Sequence, residues 1–145
     1  MFSSQSPGGL CVFVGTRVFF TLEMSNTSKE LSSLEYSVKA VIDVGSTSIR
    51  MALGEIYQNG SFRQLDSLSQ SVSIGNDTFN TGSISRETIE KCVEVLGNFR
   101  RILSEYRIDP EKDVRAVATS AVSEAFNRDD FLDRLYMATG INVEV

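Results

Sequence analysis

After residue 37 the spacing of hydrophobic residues is first typical of β-strands and then typical of α-helices. Together the two patterns predict a mixed α/β fold. Val38–Val44 is an apolar, β-branched run, the composition of a strand that is buried on both faces. Residues 49–54 alternate between large apolar side chains and polar or small ones, which predicts a second strand. Asn59-Gly60 predicts a hairpin turn, because both residues tolerate positive φ angles at the central positions. A third strand then extends from about Phe62 to Ser73.

The period changes to three or four residues in the second half of the chain. After a polar segment, Gly75–Gly82, that we expect to be a loop, apolar residues from Ile89 to Tyr106 form one stripe. This stripe predicts a helix of about 22 residues. Ser85 is the expected N-cap, and Asp109-Pro110 is expected to end the helix.

A strand, a helix and the start of another strand complete the predicted elements. Val114–Ala118 predicts the fourth strand, and a second long helix is expected to begin after Asn127 and to stop at Gly140. Ile141–Val145 predicts a fifth strand that reaches the end of the sequence. We therefore expect a mixed five-stranded sheet with helices, in the front part of a longer protein.

Residues 1–37 differ from the rest of the chain. Leu10–Leu22 is an apolar run that is too short to span a bilayer and contains Arg17, and a polar linker follows it. A signal peptide would require basic residues before the apolar run, and none is present. We expect residues 1–37 to be a poorly ordered or mis-assigned extension and residues 38–145 to be the folded lobe. In one version of a mis-assigned extension, translation begins at Met24.

Composition and charge narrow the chemistry. The net charge is −5 without a basic run, which disfavours a nucleic-acid partner. The sequence contains no histidine, so histidine bases, nucleophile–histidine pairs and His-containing zinc sites are excluded from this chain. Cys11 and Cys92 make neither a metal cluster nor a disulfide framework, which fits a reducing cytoplasm. The groups that remain available for chemistry are carboxylates, hydroxyls, backbone amides and a hard metal ion.

The segment after the first strand carries the strongest chemical signal. Asp43 closes the strand, Gly45 lets the backbone approach a ligand, and three hydroxyl residues follow, Ser46, Thr47 and Ser48. Converging amides and hydroxyls in such a turn can hold phosphate oxygens, whereas the carboxylate suits a hydrated Mg²⁺ or an attacking water. The tetrapeptide also occurs in plain β-turns, so taken alone it leaves both interpretations open.

A second candidate lies where the fourth strand meets a helical start. Thr119 and Ser120 stand there, and a helix N-terminus can attract phosphate. An ordinary N-cap is an equally good interpretation of the same residues. Because both segments follow the carboxyl ends of strands, they can face one crevice in a shared sheet.

These segments resemble the exopolyphosphatase and guanosine pentaphosphate phosphohydrolase (Ppx/GppA phosphatase) family. The similar stretches are AVIDVGSTSIRMALGEI, SIGNDTFNTGSISRETIEKCVEVLGNFR and AVATSAVSEAFNRDDFLDRLYMATGINVEV. The first motif is shared across the actin-like ATPase superfamily, and the ATSA segment is more particular to the phosphatases. The resemblance implies a ribonuclease H-like lobe, the first half of a two-lobed protein.

The resemblance also implies roles for the candidate residues. Asp43 would orient water or bind Mg²⁺, Gly45 to Ser48 would cradle a phosphate, and Thr119 and Ser120 would approach further phosphates. The implied reaction is hydrolysis of a terminal phosphoanhydride of polyphosphate or guanosine pentaphosphate, in the cytoplasm, by a full-length homodimer without a membrane partner. The family's catalytic glutamate follows the last strand, so we expect this chain alone to have little turnover.

Two departures from the family pattern keep other functions open. Thr47 stands where the family commonly has Asn, and Ser123 stands where it usually has Arg, a bidentate phosphate ligand. Arg50 and Arg115 are the candidate replacements for that guanidinium. The alternatives are a non-catalytic phosphate or nucleotide sensor, a decayed fragment, or a kinase of the same superfamily.

Overall fold

The computed structural model describes residues 35–145, which form five strands and four helices. The strands are β1 Tyr36–Val44, β2 Ser48–Tyr57, β3 Phe62–Ser71, β4 Val114–Ala118 and β5 Val143–Glu144. The helices are α1 Ile74–Thr81, α2 Arg86–Glu105, α3 Ser120–Ser123 and α4 Arg128–Thr139. The predictions made for residues 1–34 lie outside the described part of the chain.

The strands form one mixed sheet in the order β3-β2-β1-β4-β5. β2 and β3 are antiparallel, whereas β1 pairs in parallel with β4, and β4 with β5. The last pair of the β1–β4 ladder is Val44 with Ala118, so the segments that follow these two strands leave the sheet side by side. This juxtaposition of segments more than 70 residues apart in sequence positions the candidate site.

One face of the sheet carries the core, and the prediction that β1 is buried on both faces is wrong for the described residues. Ile42 and Val44 are fully buried under the helices, whereas Val41, directly before Ile42, is 53% exposed. β2 and β4 show the same alternation, with Met51 buried and Val117 exposed. The prediction failed because Val41 is apolar although it is exposed, and Lys39 has an apolar stem. A strand that is buried on one face only therefore looks apolar along its whole length.

The hairpin at Asn59-Gly60 is present, but its turn differs from the predicted one. Gly60 has a φ of 82°, and Arg107 is the only residue other than glycine with a positive φ within residues 35–145. Asn59 therefore stays right-handed, and Tyr57 and Ser61 close a three-residue loop through the bond from Tyr57 N–H to Ser61 C=O. The Asn59 side chain accepts from Ser61 N–H at 2.8 Å, which favours this wider turn.

The segment predicted as a loop, Gly75–Gly82, is the helix α1. Gly82 supplies the left-handed C-cap, with a φ of 79°, and its N–H donates to Thr78 C=O. The buried Thr78 hydroxyl donates to Ala121 C=O in α3 at 2.8 Å, and Ile74 is fully buried. Asn, Thr and Gly have weak helix propensity, so these tertiary contacts, and not the local sequence, decide the conformation.

The long helices begin where the sequence predicts. Ser85 caps α2 by accepting from Thr88 N–H, and Gly140 ends α4 with a φ of 69°. None of the helices within residues 35–145 has the length and apolar character that crossing a lipid bilayer requires.

α2 ends at Glu105, four residues before the predicted stop at Asp109-Pro110. Arg107 adopts a φ of 57°, and Ile108 N–H then donates back to Leu103 C=O at 2.9 Å. This 6→1 bond is the Schellman motif, here without its usual glycine. Burial of the Ile108 side chain, 5% exposed, offsets the cost of a left-handed arginine.

Asn127 precedes α4 as predicted, yet its side chain does not cap that helix. The Asn127 amide oxygen accepts from Ile84 N–H at 2.9 Å, and its amide nitrogen donates to Ile84 C=O at 2.8 Å. This two-way bond ties the start of α4 to the connection between α1 and α2, and it satisfies two backbone groups that no helix or strand uses.

Replacement of Asn127 by alanine is expected to destabilise the fold. Asn127→Ala leaves Ile84 N–H and C=O without partners, which lowers the free energy of unfolding by about 1–3 kcal/mol. Asn80→Ala is the matched control, because the Asn80 amide bonds only to Asn76 on the exposed side of α1. Urea denaturation followed by circular dichroism measures both changes, and equal effects of the two substitutions would contradict this role of Asn127.

Candidate functional site

The β1–β2 loop, residues 45–47, and the residue that follows β4 meet at one edge of the sheet. Thr119 N–H donates to Val44 C=O at 3.2 Å, so the parallel ladder continues one step beyond its last strand pair. This edge holds the carboxyl ends of β1 and β4, where open α/β sheets bind their ligands.

Three carbonyls at the β1–β2 loop are bonded to other parts of the protein. Val44 C=O accepts from Thr119 N–H at 3.2 Å, Ser46 C=O from Gly75 N–H at 2.8 Å, and Thr47 C=O from Val72 N–H at 3.0 Å. These donors come from three separate elements: the end of β4, the first turn of α1 and the segment after β3. The loop is therefore held from three sides.

The amides of the same loop are left for a ligand. Gly45 N–H donates to Ser48 C=O at 3.0 Å, but the N–H groups of Ser46 and Thr47 meet no acceptor among residues 35–145. The hydroxyls of Ser46, Thr47 and Ser48 likewise form no hydrogen bond within this range. Two free amides and three free hydroxyls in three consecutive residues can hold the oxygens of an anion.

Gly45 and Asp43 lie directly beside these donors. A Cβ at Gly45 would lie 3.0 Å from Ser48 C=O and 3.8 Å from Asp43 Oδ2, so only glycine fits without displacing the turn. Asp43 is half-buried and pairs in register with Val117, and its carboxylate has no hydrogen bond or ion pair with residues 35–145. Its carboxylate is available to a cation or a water at the mouth of the loop.

The second candidate segment contributes less directly than its sequence suggests. Both the N–H and the hydroxyl of Thr119 point to Val44 C=O, the hydroxyl at 3.4 Å. α3 is a single turn of four residues, so its dipole is weak, and Ser120 is exposed at its start. Thr119 therefore anchors the loop, and Ser120 is the residue of this pair whose hydroxyl is left for a ligand.

Arg50 and Arg115, the candidate replacements for the family's arginine, differ in their surroundings. Arg115 forms an ion pair with Glu144 of β5 at 2.9 Å. Arg50 is exposed on β2 and forms no ion pair within residues 35–145. Ser123, at the position of the family's arginine, donates its hydroxyl to Ser120 C=O at 3.2 Å.

A cleft of about 570 Å³ lies elsewhere, at the first half of β4. Its lining includes Val114, Tyr136 and the ion pair of Arg115 with Glu144. The two charged side chains of that ion pair neutralise each other, and the cleft lacks the loop donors. We therefore assign the site to the loop and not to this cleft.

Gly75 belongs to the site and has no signal in the sequence. A Cβ at Gly75 would lie 2.8 Å from Ser46 Cβ, so α1 can approach the loop only because this residue has no side chain. In sequence Gly75 looks like the start of a loop. Its role depends on the packing of α1 against residues 45–47, which no local pattern contains.

Replacement of Gly75 by alanine is expected to disturb the loop. The added methyl group pushes Ser46 away from α1, which lowers the free energy of unfolding by about 1–3 kcal/mol and weakens tripolyphosphate binding. Gly97→Ala is the matched control, because a Cβ at Gly97 meets nothing within 4 Å on α2. That control is expected to stabilise the protein by about 0.5–1 kcal/mol and to leave binding unchanged. Thermal denaturation and isothermal titration measure both, and unaltered binding by Gly75→Ala would contradict the contact.

The chain is similar in sequence to a family of phosphatases and to several curated proteins. The sequence model of the Ppx/GppA phosphatase family matches residues 55–145. Exopolyphosphatase 1 of Mycobacterium leprae is 30% identical over 105 residues, which cover 72% of this chain and 30% of that protein. Retrograde regulation protein 2 of Saccharomyces cerevisiae is 28% identical over 132 residues, which cover 86% of this chain and 22% of that protein.

The solved structures agree with the sequence comparison. A Ppx/GppA family member from Aquifex aeolicus superimposes with a TM-score of 0.71 at 30% identity, over 77% of this chain and 35% of that chain. The chain thus spans less than half of each of these relatives. The predicted fold class, a mixed five-stranded α/β lobe of the actin-like ATPase type, is confirmed. The chain belongs to the Ppx/GppA phosphatase family.

Proposed function

We propose that the chain supplies the first phosphate-binding lobe of an enzyme that hydrolyses terminal phosphoanhydride bonds of inorganic polyphosphate or guanosine pentaphosphate. One observation carries the proposal: Ser46 and Thr47 present N–H groups that have no acceptor within residues 35–145, while the carbonyls of the same two residues are bonded to α1 and to the segment after β3. Membership of a phosphatase family supports the reaction class. The free N–H groups of the loop support the proposal that the substrate is anionic where it binds.

In this proposal the lobe acts by positioning the substrate and by electrostatic stabilisation. The amides of Ser46 and Thr47, with the three hydroxyls of residues 46–48, hold the phosphoryl oxygens, on which negative charge is spread during transfer. Because the loop is already anchored, little reorganisation is needed when the substrate binds. Ser120 extends the donor set along the same edge of the sheet.

Asp43 would hold Mg²⁺ in this site. No group of three or more His, Cys, Asp or Glu side chains suited to a metal occurs in the part of the chain that the structure describes. Mg²⁺ does not need such a cluster, because it commonly binds one or two carboxylates together with waters and substrate phosphates. The Asp43 carboxylate, without a protein partner in residues 35–145, fits that coordination. When bound, Mg²⁺ would neutralise phosphate charge beside the loop.

Removal of the Asp43 charge is expected to abolish Mg²⁺-dependent binding without unfolding the lobe. Asp43→Asn keeps the size of the side chain and its capacity to accept a hydrogen bond from the turn, so the melting temperature should stay close to that of the wild type. Tripolyphosphate affinity, titrated by calorimetry with and without Mg²⁺, should lose its dependence on the metal. Asp133→Asn, an exposed carboxylate of α4, is the charge-matched control.

The opposite pattern would assign Asp43 to the turn instead. If the melting temperature of Asp43→Ala falls while Mg²⁺-dependent binding persists, the carboxylate caps the backbone and has no part in the site.

We further propose a cytoplasmic protein whose full-length form is a homodimer. The support for the location is the free thiol of Cys92, which is fully buried in the core. Burial raises the pKa of this thiol to about 12, so it stays protonated and unreactive. Free thiols are usual in a reducing compartment. The homodimer rests on the family resemblance alone.

A second candidate function, phosphate binding without catalysis, is favoured by Ser123. Its hydroxyl is used by Ser120 C=O, and serine cannot form the bidentate contact that arginine makes with a phosphate. A site that binds phosphates but lacks this cation would suit a sensor. Turnover of polyphosphate by this chain at about 1 s⁻¹ or more, measured as released phosphate, would contradict the non-catalytic candidate.

Introduction of an arginine at position 123 is expected to strengthen anion binding. Ser123→Arg adds a charge-assisted contact at an exposed position beside Ser120, and should raise tripolyphosphate affinity about 5- to 10-fold. Ser104→Arg controls for overall charge, because the Ser104 hydroxyl also bonds to the carbonyl three residues earlier, at the end of α2. Equal gains from both substitutions would show a general charge effect and would contradict a role for position 123.

A further inference from the structure

The one-turn helix α3 carries Ser120, but a helix of this length has little stability of its own. It consists of four residues, Ser120–Ser123, and the side chain of its N-cap, Thr119, does not cap it. Helices shorter than about 12 residues are marginal in water unless tertiary contacts hold them. The position of Ser120 therefore depends on the elements to which α3 is attached.

Hydrogen bonds attach α3 and its N-cap to two neighbouring elements. On the side of β1, Thr119 N–H donates to Val44 C=O at 3.2 Å. On the side of α1, the Thr78 hydroxyl donates to Ala121 C=O at 2.8 Å. Thr78 is 5% exposed and Ala121 is fully buried, so solvent does not reach this carbonyl. The Thr78 hydroxyl is therefore the partner on which the buried Ala121 carbonyl depends.

The helix that carries Thr78 is also fixed to the β1–β2 loop. Gly75 N–H, in the first turn of α1, donates to Ser46 C=O at 2.8 Å. Gly75 and Thr78 are three residues apart, which makes them neighbours on the helix surface, and both are buried. The same side of α1 therefore contacts the loop through Gly75 and α3 through Thr78.

Together these contacts form a closed ring. It runs from Ser46 through Gly75 to Thr78 along α1, crosses to α3, and returns through Thr119 and Val44 to the loop. In a closed ring neither α3 nor the loop can move without breaking a bond. The bond from the Thr78 hydroxyl closes the ring, and its loss leaves α3 attached to β1 through Thr119 alone. The separation between Ser120 and the loop is thus set before a ligand arrives.

This separation matters because both segments carry free donors. The N–H groups of Ser46 and Thr47 have no acceptor among residues 35–145, and the exposed Ser120 hydroxyl likewise forms no hydrogen bond there. An anion that contacts both segments gains the full benefit only if they are already in place, since otherwise binding has to order α3.

We infer that Thr78 is a positioning residue, which holds Ser120 at the separation from the β1–β2 loop at which both segments donate to one polyphosphate ligand. This inference rests on the proposed function. Thr78 is buried and does not itself touch the ligand, so its effect on binding passes through Ser120. Removal of the Thr78 hydroxyl therefore weakens binding only while the Ser120 hydroxyl is present.

A double-mutant cycle tests this dependence. Valine has nearly the shape of threonine but no hydroxyl, so the cycle consists of the wild type, Thr78→Val, Ser120→Ala and the double variant. Tripolyphosphate is titrated by calorimetry into each full chain in the presence of Mg²⁺. Thr78→Val should lower the affinity about 3- to 10-fold, as expected for one hydrogen bond, but less than about 2-fold when position 120 is alanine. Thr78→Ser, which keeps the hydroxyl, should retain most of the affinity.

Thr139→Val is the matched control. Thr139 is 7% exposed, and its hydroxyl also donates to a backbone carbonyl, that of Leu135, at 2.7 Å. It lies at the end of α4 that precedes β5, and β5 runs parallel to β4, so Thr139 is at the opposite end of the sheet from Ser120. Thr139→Val should lower the melting temperature and leave tripolyphosphate affinity unchanged. A thermal melt of each variant sets a titration temperature at which it is folded.

The other outcomes separate this inference from the proposed function. Equal losses from Thr78→Val with and without the Ser120 hydroxyl would show that Thr78 only supports the fold, and would overturn the inference while the phosphate site stands. Unchanged affinity in Ser120→Ala would overturn it as well, whether or not Thr78→Val folds. Failure of the wild type to bind tripolyphosphate would overturn the proposed function, and the inference with it.

Discussion

The anchoring of three carbonyls determines what the β1–β2 loop can do. Val44, Ser46 and Thr47 each give their carbonyl to a donor from a different part of the chain, at 2.8 to 3.2 Å. In a planar trans peptide the N–H points opposite to the C=O, so the anchored Ser46 C=O turns the Thr47 N–H away from α1. Each bond contributes only about 1 kcal/mol, yet together they order the loop during folding, so a ligand does not bear that entropic cost.

The rest of the lobe supplies those three donors. The parallel pairing of β1 with β4 brings Thr119 to Val44, the end of β3 brings Val72 to Thr47, and the glycine at position 75 lets α1 reach Ser46. The Thr78 hydroxyl then ties α1 to α3 through Ala121. The β1–β2 loop, α1 and the one-turn helix α3 are in this way connected through hydrogen bonds.

The sequence predicts most of the sheet and both long helices, since their signals are local. Alternation along residues 49–54, the Ser85 cap and the Gly140 stop depend on neighbouring residues, and the structure agrees with each. α1 was missed because its weak helix formers are held by Ile74 and Thr78 in the core. The early end of α2 was missed because Arg107 adopts a conformation that usually takes glycine.

The residues of the candidate site likewise fall into two groups: those that the local sequence predicts and those that only tertiary contacts identify. The hydroxyls of residues 46–48 and the carboxylate of Asp43 are visible in the sequence, and their assignment to phosphate and Mg²⁺ stays a prediction. Gly75, and the use of Thr119 as an anchor, depend on contacts between distant segments, so no local pattern contains them. Membership of the Ppx/GppA phosphatase family agrees with the fold that produces these contacts.

The most direct measurement of the central claim is a two-dimensional ¹⁵N–¹H NMR titration of the chain with tripolyphosphate and Mg²⁺. The account predicts that the amide resonances of Ser46 and Thr47 shift on binding, whereas those of Gly45 and Thr119, whose N–H groups are already bonded, shift far less. Shifts confined to other residues, with Ser46 and Thr47 unmoved at saturation, would contradict it.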